Sequence, residues 1–191
     1  MYLDAFENFP VIETERLVLR RLEMRDANDI YEYAAYKDAF TYTDGFPQDY
    51  EEVKAMVEIW RNEAYESKRF IRWAIELKAE KKVIGGIYMF DPQCDDISGR
   101  KADIGYEISP KYQNKGYASE SIRAVGRYTV QNMGIVRVQA LIMPENIPSV
   151  RACEKAGFVK EGVLRNFCHY KNGISGFKSM VIFSLTPQDI H

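Results

Sequence analysis

Gln113-Asn114-Lys115-Gly116-Tyr117-Ala118 stands between a strand-like segment and the most regular helical stretch of the chain. Before it, Lys101 to Ser109 reads as a strand. After it, Gly116 to Met133 sets Ala118, Ile122, Val125, Thr129 and Met133 on one helical face, and Gly134 suits the C-terminal cap. The loop amides therefore point from a helix N-terminus at whatever binds there. Orphan N–H groups and the positive end of the helix dipole favour an anion, and Gly116 lets the backbone approach it with no side chain in the way. Lys111, Lys115 and Arg151 could add positive charge. The dinucleotide fingerprint G-x-G-x-x-G and the P-loop are both absent, which removes the main support for a nicotinamide or nucleoside-triphosphate ligand.

Outward from this loop, strands and helices alternate. Arg16 to Leu22 alternates charged and apolar residues as a first strand, and Asp26 can cap a short helix through about Tyr36. Thr41 to Gln48 reads as a loop, and Asp49 to Ser67 has helical spacing through Val53, Met56, Val57 and Trp60. Phe70 to Leu77 and Lys82 to Phe90 are strands joined by the polar turn Lys78-Ala79-Glu80-Lys81, and Asp91 to Gly99 is a loop before the fourth strand. Val136 to Met143 is a further strand, Pro148 to Ala156 a helix ended by Gly157, and Phe158 to Tyr170 and Phe177 to Leu185 are the last two strands. The order is β-α-α-β-β-β-α-β-α-β-β, an α/β protein in the broad sense that includes α+β. With neither repeat nor linker in its 191 residues, the chain reads as a single domain over 1–191.

Composition narrows the function. A formal charge of -2 speaks against a general nucleic-acid binder, and no apolar run reaches the roughly 18 residues of a membrane span, so neither nucleic acid nor membrane is an expected partner. The start Met1 to Glu7 lacks the pattern of a signal peptide, which predicts a cytoplasmic protein. Cys94, Cys153 and Cys168 show no C-x-x-C spacing, so neither a zinc site nor a disulfide framework is expected, and no metal is predicted.

The spacing Gln-x-x-Gly-x-Ala resembles the pyrophosphate loop of the GNAT superfamily of N-acetyltransferases. The likeness rests on its context: Ala102 to Pro110 before it, Asn146-x-x-Ser149 and Glu154-Lys155-Ala156-Gly157-Phe158 after it, and further upstream Thr14 to Arg20, Trp73-Ala74-Ile75 and Ile84-Gly85. The chain looks most like the ribosomal-protein N-terminal acetyltransferases and the spermidine acetyltransferases. The resemblance implies a mixed, mostly antiparallel sheet of about seven strands flanked by about four helices, with the fourth and fifth strands splayed. It implies acetyl-coenzyme A as cosubstrate and a primary amine as acceptor, either a protein N-terminus or a small amine, and it leaves room for a homodimer. Ile108 would supply backbone contacts to the cosubstrate. Gln113, Asn114, Lys115, Gly116, Tyr117, Ala118 and Ser119 would wrap its pyrophosphate, with Asn146 and Ser149 bordering the pantetheine arm. Two other classes share the anion site: a coenzyme A-binding regulator without turnover, and a general phosphate-binding module.

Acetyl transfer to an amine needs a neutral nitrogen, a donor for the oxyanion and a partner for the departing thiolate. Alternation on the fourth strand puts Asp103, Gly105, Glu107 and Ser109 on one face and Ile104, Tyr106 and Ile108 on the other. The resemblance implies a carboxylate base on this strand, which makes Glu107 the first candidate and Asp103 the second; a solvated strand face is the plainer alternative. Many members place a tyrosine acid seven positions after the asparagine, where this chain has Cys153. Ser149 is the nearest replacement, unless its hydroxyl serves only as a helix-start hydrogen bond. His169 is a further candidate base, although an isolated histidine is more often a surface group. Tyr31, Tyr33, Phe40, Tyr42 and Trp60 could line an acceptor pocket.

Overall fold

A computed structural model describes residues 4–36, 42, 47, 49–95, 99–170 and 176–190, without the side chains of residues 63, 64, 91–99 and 170. Phe40, most of the loop expected at 41–48 and the Cys94 thiol lie outside the described residues. The elements run α1 Asp4–Glu7, β1 Ile12–Glu13, β2 Leu17–Arg21, α2 Ala27–Ala34, α3 Tyr50–Arg61, α4 Glu63–Glu66, β3 Phe70–Leu77 and β4 Lys82–Asp95. They continue β5 Gly99–Ile108, α5 Tyr117–Asn132, β6 Arg137–Ile142, α6 Ile147–Ala156, β7 Val159–Tyr170 and β8 Gly176–Leu185.

The eight strands form one sheet in the order β1-β2-β3-β4-β5-β6-β8-β7. The expected class holds. The additional strand is the two-residue β1, and the additional helices α1 and α4 are single turns of four residues, too short to leave a periodic signal. The loop expected at 91–99 is largely strand, because β4 runs on to Asp95 through a register shift between Phe90 and Gln93. Asp26 departs from its expected role: its side chain does not cap α2 but is buried and holds Arg20 through two hydrogen bonds of 2.8 and 2.9 Å.

Helices cover both faces of the sheet. On one face Ile122 and Val125 of α5 and Ala152 and Ala156 of α6 pack on Leu17, Leu19, Trp73, Ile87, Ile104 and Phe183. On the other, Ile30 and Tyr33 of α2 and Val53 and Val57 of α3 pack on Ala74 and Val83. Strand β3 lies between the two layers, which is why Ile71 to Ile75 are buried without a break.

Strands β5 and β6 are parallel, joined by the crossover through α5 that such a pair requires. They share only the rungs Lys101–Arg137, Ala102–Val138 and Asp103–Gln139. Beyond Asp103, β5 stays with β4 as far as Ile108, while β6 follows β8 as far as Ile142. The two strands therefore part, as the resemblance implied. Among the described residues no helix is long and apolar enough to cross a membrane.

Candidate active site

The gap between β5 and β6 opens a cleft of about 800 Å³. The Ser109 N–H donates to the Ile84 carbonyl at 2.8 Å, so alternation aims the main-chain groups of Tyr106 and Ile108 away from β4 and into the gap. One of these is occupied: the Ile108 carbonyl accepts from Gln113 Nε2 at 3.1 Å. The rest offer an extended ligand the edge of a strand.

At the mouth of the cleft the chain turns through Asn114 and Gly116, at φ 61° and 85°, into α5. The Glu120 N–H is the first to bond back into the helix, to the Gly116 carbonyl at 3.1 Å, so the N–H groups of Tyr117, Ala118 and Ser119 precede the helical ladder. A Cβ on Gly116 would meet Arg16 Nη2 at 3.3 Å as its nearest neighbour. The loop thus turns amides that precede the helical ladder to the mouth of the cleft, a donor set that fits a phosphate oxygen. All seven residues from Gln113 to Ser119 except Lys115 line the cleft, as do Ile108, Asn146 and Ser149.

Arg16, which the sequence did not single out, does not line the cleft but braces the loop from beside it. Its Nη1 donates to the Lys115 carbonyl at 2.9 Å, its Nε and Nη2 lie 2.7 and 2.6 Å from Glu120 Oε2, and its guanidinium covers the Tyr117 ring at 4.5 Å. Glu120 also accepts from the Thr14 hydroxyl at 2.6 Å and the Arg16 N–H at 3.0 Å. Burial works against ionisation of Glu120, but these donors outweigh it and hold the carboxyl below the usual range. Of the cations expected to add charge, Arg151 lines the cleft, whereas Lys111 is paired with Glu32 at 2.5 Å and Lys115 lies 5.1 Å from the Tyr112 ring.

On the far wall, Asn146 caps α6, its Oδ1 accepting from the Ser149 N–H at 3.2 Å. The Ser149 hydroxyl takes no part in that cap; it accepts a hydrogen bond from the Tyr106 phenol at 2.8 Å. Tyr106 shares the strand face of buried Ile104 and Ile108, so its sequence position suggests only packing, and its partner is 43 residues away. Cys153 is fully buried, and burial with the nearby Glu154 charge pushes its thiol up to about 12, leaving it no thiolate character near neutral pH.

The two candidate carboxylates differ. Glu107 is not on a solvated face: only 9% of it is exposed, and its Oε1 accepts from Arg72 and, at 3.2 Å, from the Tyr33 hydroxyl. Arg72 in turn lies 3.8 Å from the Trp60 ring. With Oε1 held by two donors, Oε2 is the atom left for the cleft that Glu107 lines. Burial holds this carboxyl above the ordinary range against the pull of Arg72 and Tyr33. Asp103 also lines the cleft, at the last rung before the strands part.

Of the aromatics expected around an acceptor, Tyr42 lines the cleft, Tyr33 and Trp60 support the Arg72–Glu107 pair, and Tyr31 packs edge-on against Tyr50. Tyr88, Phe90 and Phe167 line the cleft instead. The Tyr88 ring lies over Gly105, where any Cβ would stand 2.6 Å from it. His169 is exposed, rests edge-on against Phe177 and does not line the cleft.

Comparison with known proteins agrees with this architecture. The profile of the acetyltransferase (GNAT) domain family matches residues 16–159. The chain is 36% identical over 167 residues to the uncharacterized N-acetyltransferase YoaA of Bacillus subtilis (strain 168), covering 86% of this chain and 91% of that protein. It is 27% identical over 164 residues to the [ribosomal protein uS5]-alanine N-acetyltransferase of Escherichia coli (strain K12), covering 82% and 81%. Among solved structures, a GNAT-family acetyltransferase from Bacillus anthracis superposes with a TM-score of 0.80 at 26% identity, covering 94% of this chain and 99% of the other.

Proposed function

The chain belongs to the GNAT family of acetyltransferases, enzymes that take their acetyl group from acetyl-coenzyme A, and on that premise we propose that its acceptor is an α-amino group, of a protein N-terminus or a small amine. The observation that carries the proposal is the parting of β5 and β6 beyond Asp103, with an amide-lined helix start at one end and two carboxylates on β5. Gln113 to Ser119 bind the pyrophosphate through their amides, and Ile108 offers its main chain to the pantetheine arm. Asn146 holds the start of α6 in place, and Ser149 presents its hydroxyl to the leaving sulfur.

On the opposite face Glu107 takes the proton of the attacking nitrogen, directly or through water, with Asp103 as the second carboxylate near the acceptor. A carboxylate, even one raised by burial, is a modest base, so it suits an amine that is partly neutral already. An α-amine, with a reference pKa of about 7.7 to 8.0 against about 10.4 for lysine, is the better match. The likeness to the ribosomal-protein alanine N-acetyltransferase supports the same class. Tyr42, Tyr88 and Phe90 would border the residue that carries the amine.

The test is a screen of peptides with different N-terminal residues, polyamines and free amino acids, read by thiol release from acetyl-coenzyme A. Turnover confined to α-amines supports the proposal. Turnover only with polyamines or lysine side chains overturns it.

A further inference from the structure

A serine hydroxyl rotates freely unless something fixes it. In α6 the Ser149 main chain is fixed by Asn146, and the hydroxyl is fixed by the phenol of Tyr106, which donates to Oγ at 2.8 Å. With one lone pair filled, the Ser149 O–H must point elsewhere, and both residues border the cleft between the parted strands. We propose that Tyr106 is a positioning residue for acetyl transfer, forming with Ser149 a two-link donor chain, phenol to serine to sulfur, that stabilises the departing coenzyme A thiolate. The proposal rests on the acetyltransferase activity above.

The chain suits this task for three reasons. First, Cys153, one turn further along α6, is fully buried at 0% exposure and does not line the cleft, so it offers no donor there. A phenol next to Ser149 is supplied from β5 instead. Second, hydrogen bonds in series polarise one another, so a serine that accepts from a phenol is a stronger donor than one alone. Third, Tyr106 keeps its own proton. Reference values of about 10 for tyrosine and about 8.5 for a thiol already favour that, and burial moves the phenol further up.

The proposed step therefore transfers no proton from the dyad. The amine nitrogen bonds to the thioester carbon and the carbon–sulfur bond breaks, its electron pair leaving on sulfur. The nitrogen gives its extra proton to Glu107 or water. Sulfur, held meanwhile by the Ser149 O–H, is protonated from solvent on release.

The experiment compares wild type, Tyr106→Phe, Ser149→Ala and the double variant in two measurements. Steady-state kinetics should show Tyr106→Phe lowering kcat about tenfold, with KM for acetyl-coenzyme A changed less than about twofold. In the Ser149→Ala background the same substitution should cost nothing further, because its effect passes through the serine. Ultraviolet titration of the thiol of bound coenzyme A should show it ionising at lower pH in wild type than in any of the three variants.

A Tyr106→Phe enzyme with full kcat, losses that multiply in the double variant, or identical thiol titrations would each overturn the proposal. The titration needs no acceptor. If wild type acetylates no α-amine but its bound thiol still ionises early and both single variants lose that, the dyad stands and the acceptor assignment fails. If coenzyme A does not bind wild type at all, both fail together.

Discussion

Arg16 Nε donates to Glu120 Oε2 at 2.7 Å, tying residues 104 positions apart. The contact joins the approach to β2 to the first turn of α5, and Nη1 of the same guanidinium reaches the Lys115 carbonyl at 2.9 Å. An acidic side chain so near a helix start would repel a phosphate; here its charge is neutralised and the arginine is held toward the loop.

Arg16→Ala should raise the dissociation constant for acetyl-coenzyme A by about tenfold, corresponding to roughly 1.4 kcal/mol, with a smaller effect on kcat at saturation. Arg16→Lys should not restore binding, since an ammonium cannot hold Glu120 and the Lys115 carbonyl in one plane. Because the Glu120 pKa is lowered, its stabilising contribution is present above its unfolded value and is lost only as pH falls through the folded value. Calorimetric affinity should thus show no Glu120-dependent change between about pH 5 and 8. Equal affinity of Arg16→Ala and wild type would show that the Arg16 contacts do not shape the loop for binding.

At Gly116 the left-handed backbone at φ 85° and the open space before it make different demands. Gly116→Ala adds a methyl group 3.3 Å from Arg16 Nη2 and a backbone cost of about 1–2 kcal/mol, so it should lower stability with a modest loss of affinity. Gly116→Asp adds a carboxylate at the anion site and should weaken acetyl-coenzyme A much further. Thermal melts with and without ligand separate the two effects. A folded Gly116→Asp variant with wild-type affinity would refute the loop assignment.

Glu107 is the candidate base whose burial raises its pKa. Protonated, it cannot accept from the amine, so kcat/KM should fall as pH drops through a value above the ordinary carboxylate range. That acid limb should vanish in Glu107→Gln, which should also lower kcat by about 10²-fold or more, in the range of general-base losses. Removing the charge leaves Arg72 buried without its anion, so a lower melting temperature is expected as well. An unchanged pH profile in a folded Glu107→Gln enzyme would shift the role to Asp103.

Much of this was legible in the sequence because it was local. The loop at 113–119, the helix behind it and the face alternation of β5 are set by periodicities within a few residues, and Gly116 shows its conformation by its identity. Side-chain pairings were not legible. Asp26 looked like the cap of α2, but its carboxylate accepts from the Glu23 N–H of the preceding turn at 2.8 Å and from Arg20, six positions back. For Glu107, the first base candidate, a solvated strand face stayed open as the alternative, because its partners Arg72 and Tyr33 come from other elements. Tyr106 sat among core residues in the pattern, and only the α6 crossing shows what its hydroxyl meets. Of the aromatics sought around the first two helices, Tyr42 lines the cleft, whereas Tyr88 and Phe90 come from β4, where alternation could not distinguish a cleft from a core.

The acceptor preference is open to one direct measurement. A peptide carrying both a free α-amino group and one lysine is incubated with acetyl-coenzyme A and the enzyme at about pH 7, where reference pKa values make the neutral fraction of the α-amine roughly two orders of magnitude the larger. Thiol release is followed, and the acetyl group is located by fragmentation in the mass spectrometer. Acetylation at the α-nitrogen, matched in amount by released thiol, is the predicted result. Acetylation at the lysine in preference to the α-nitrogen, or thiol release with no acetyl on either amine, would contradict the account.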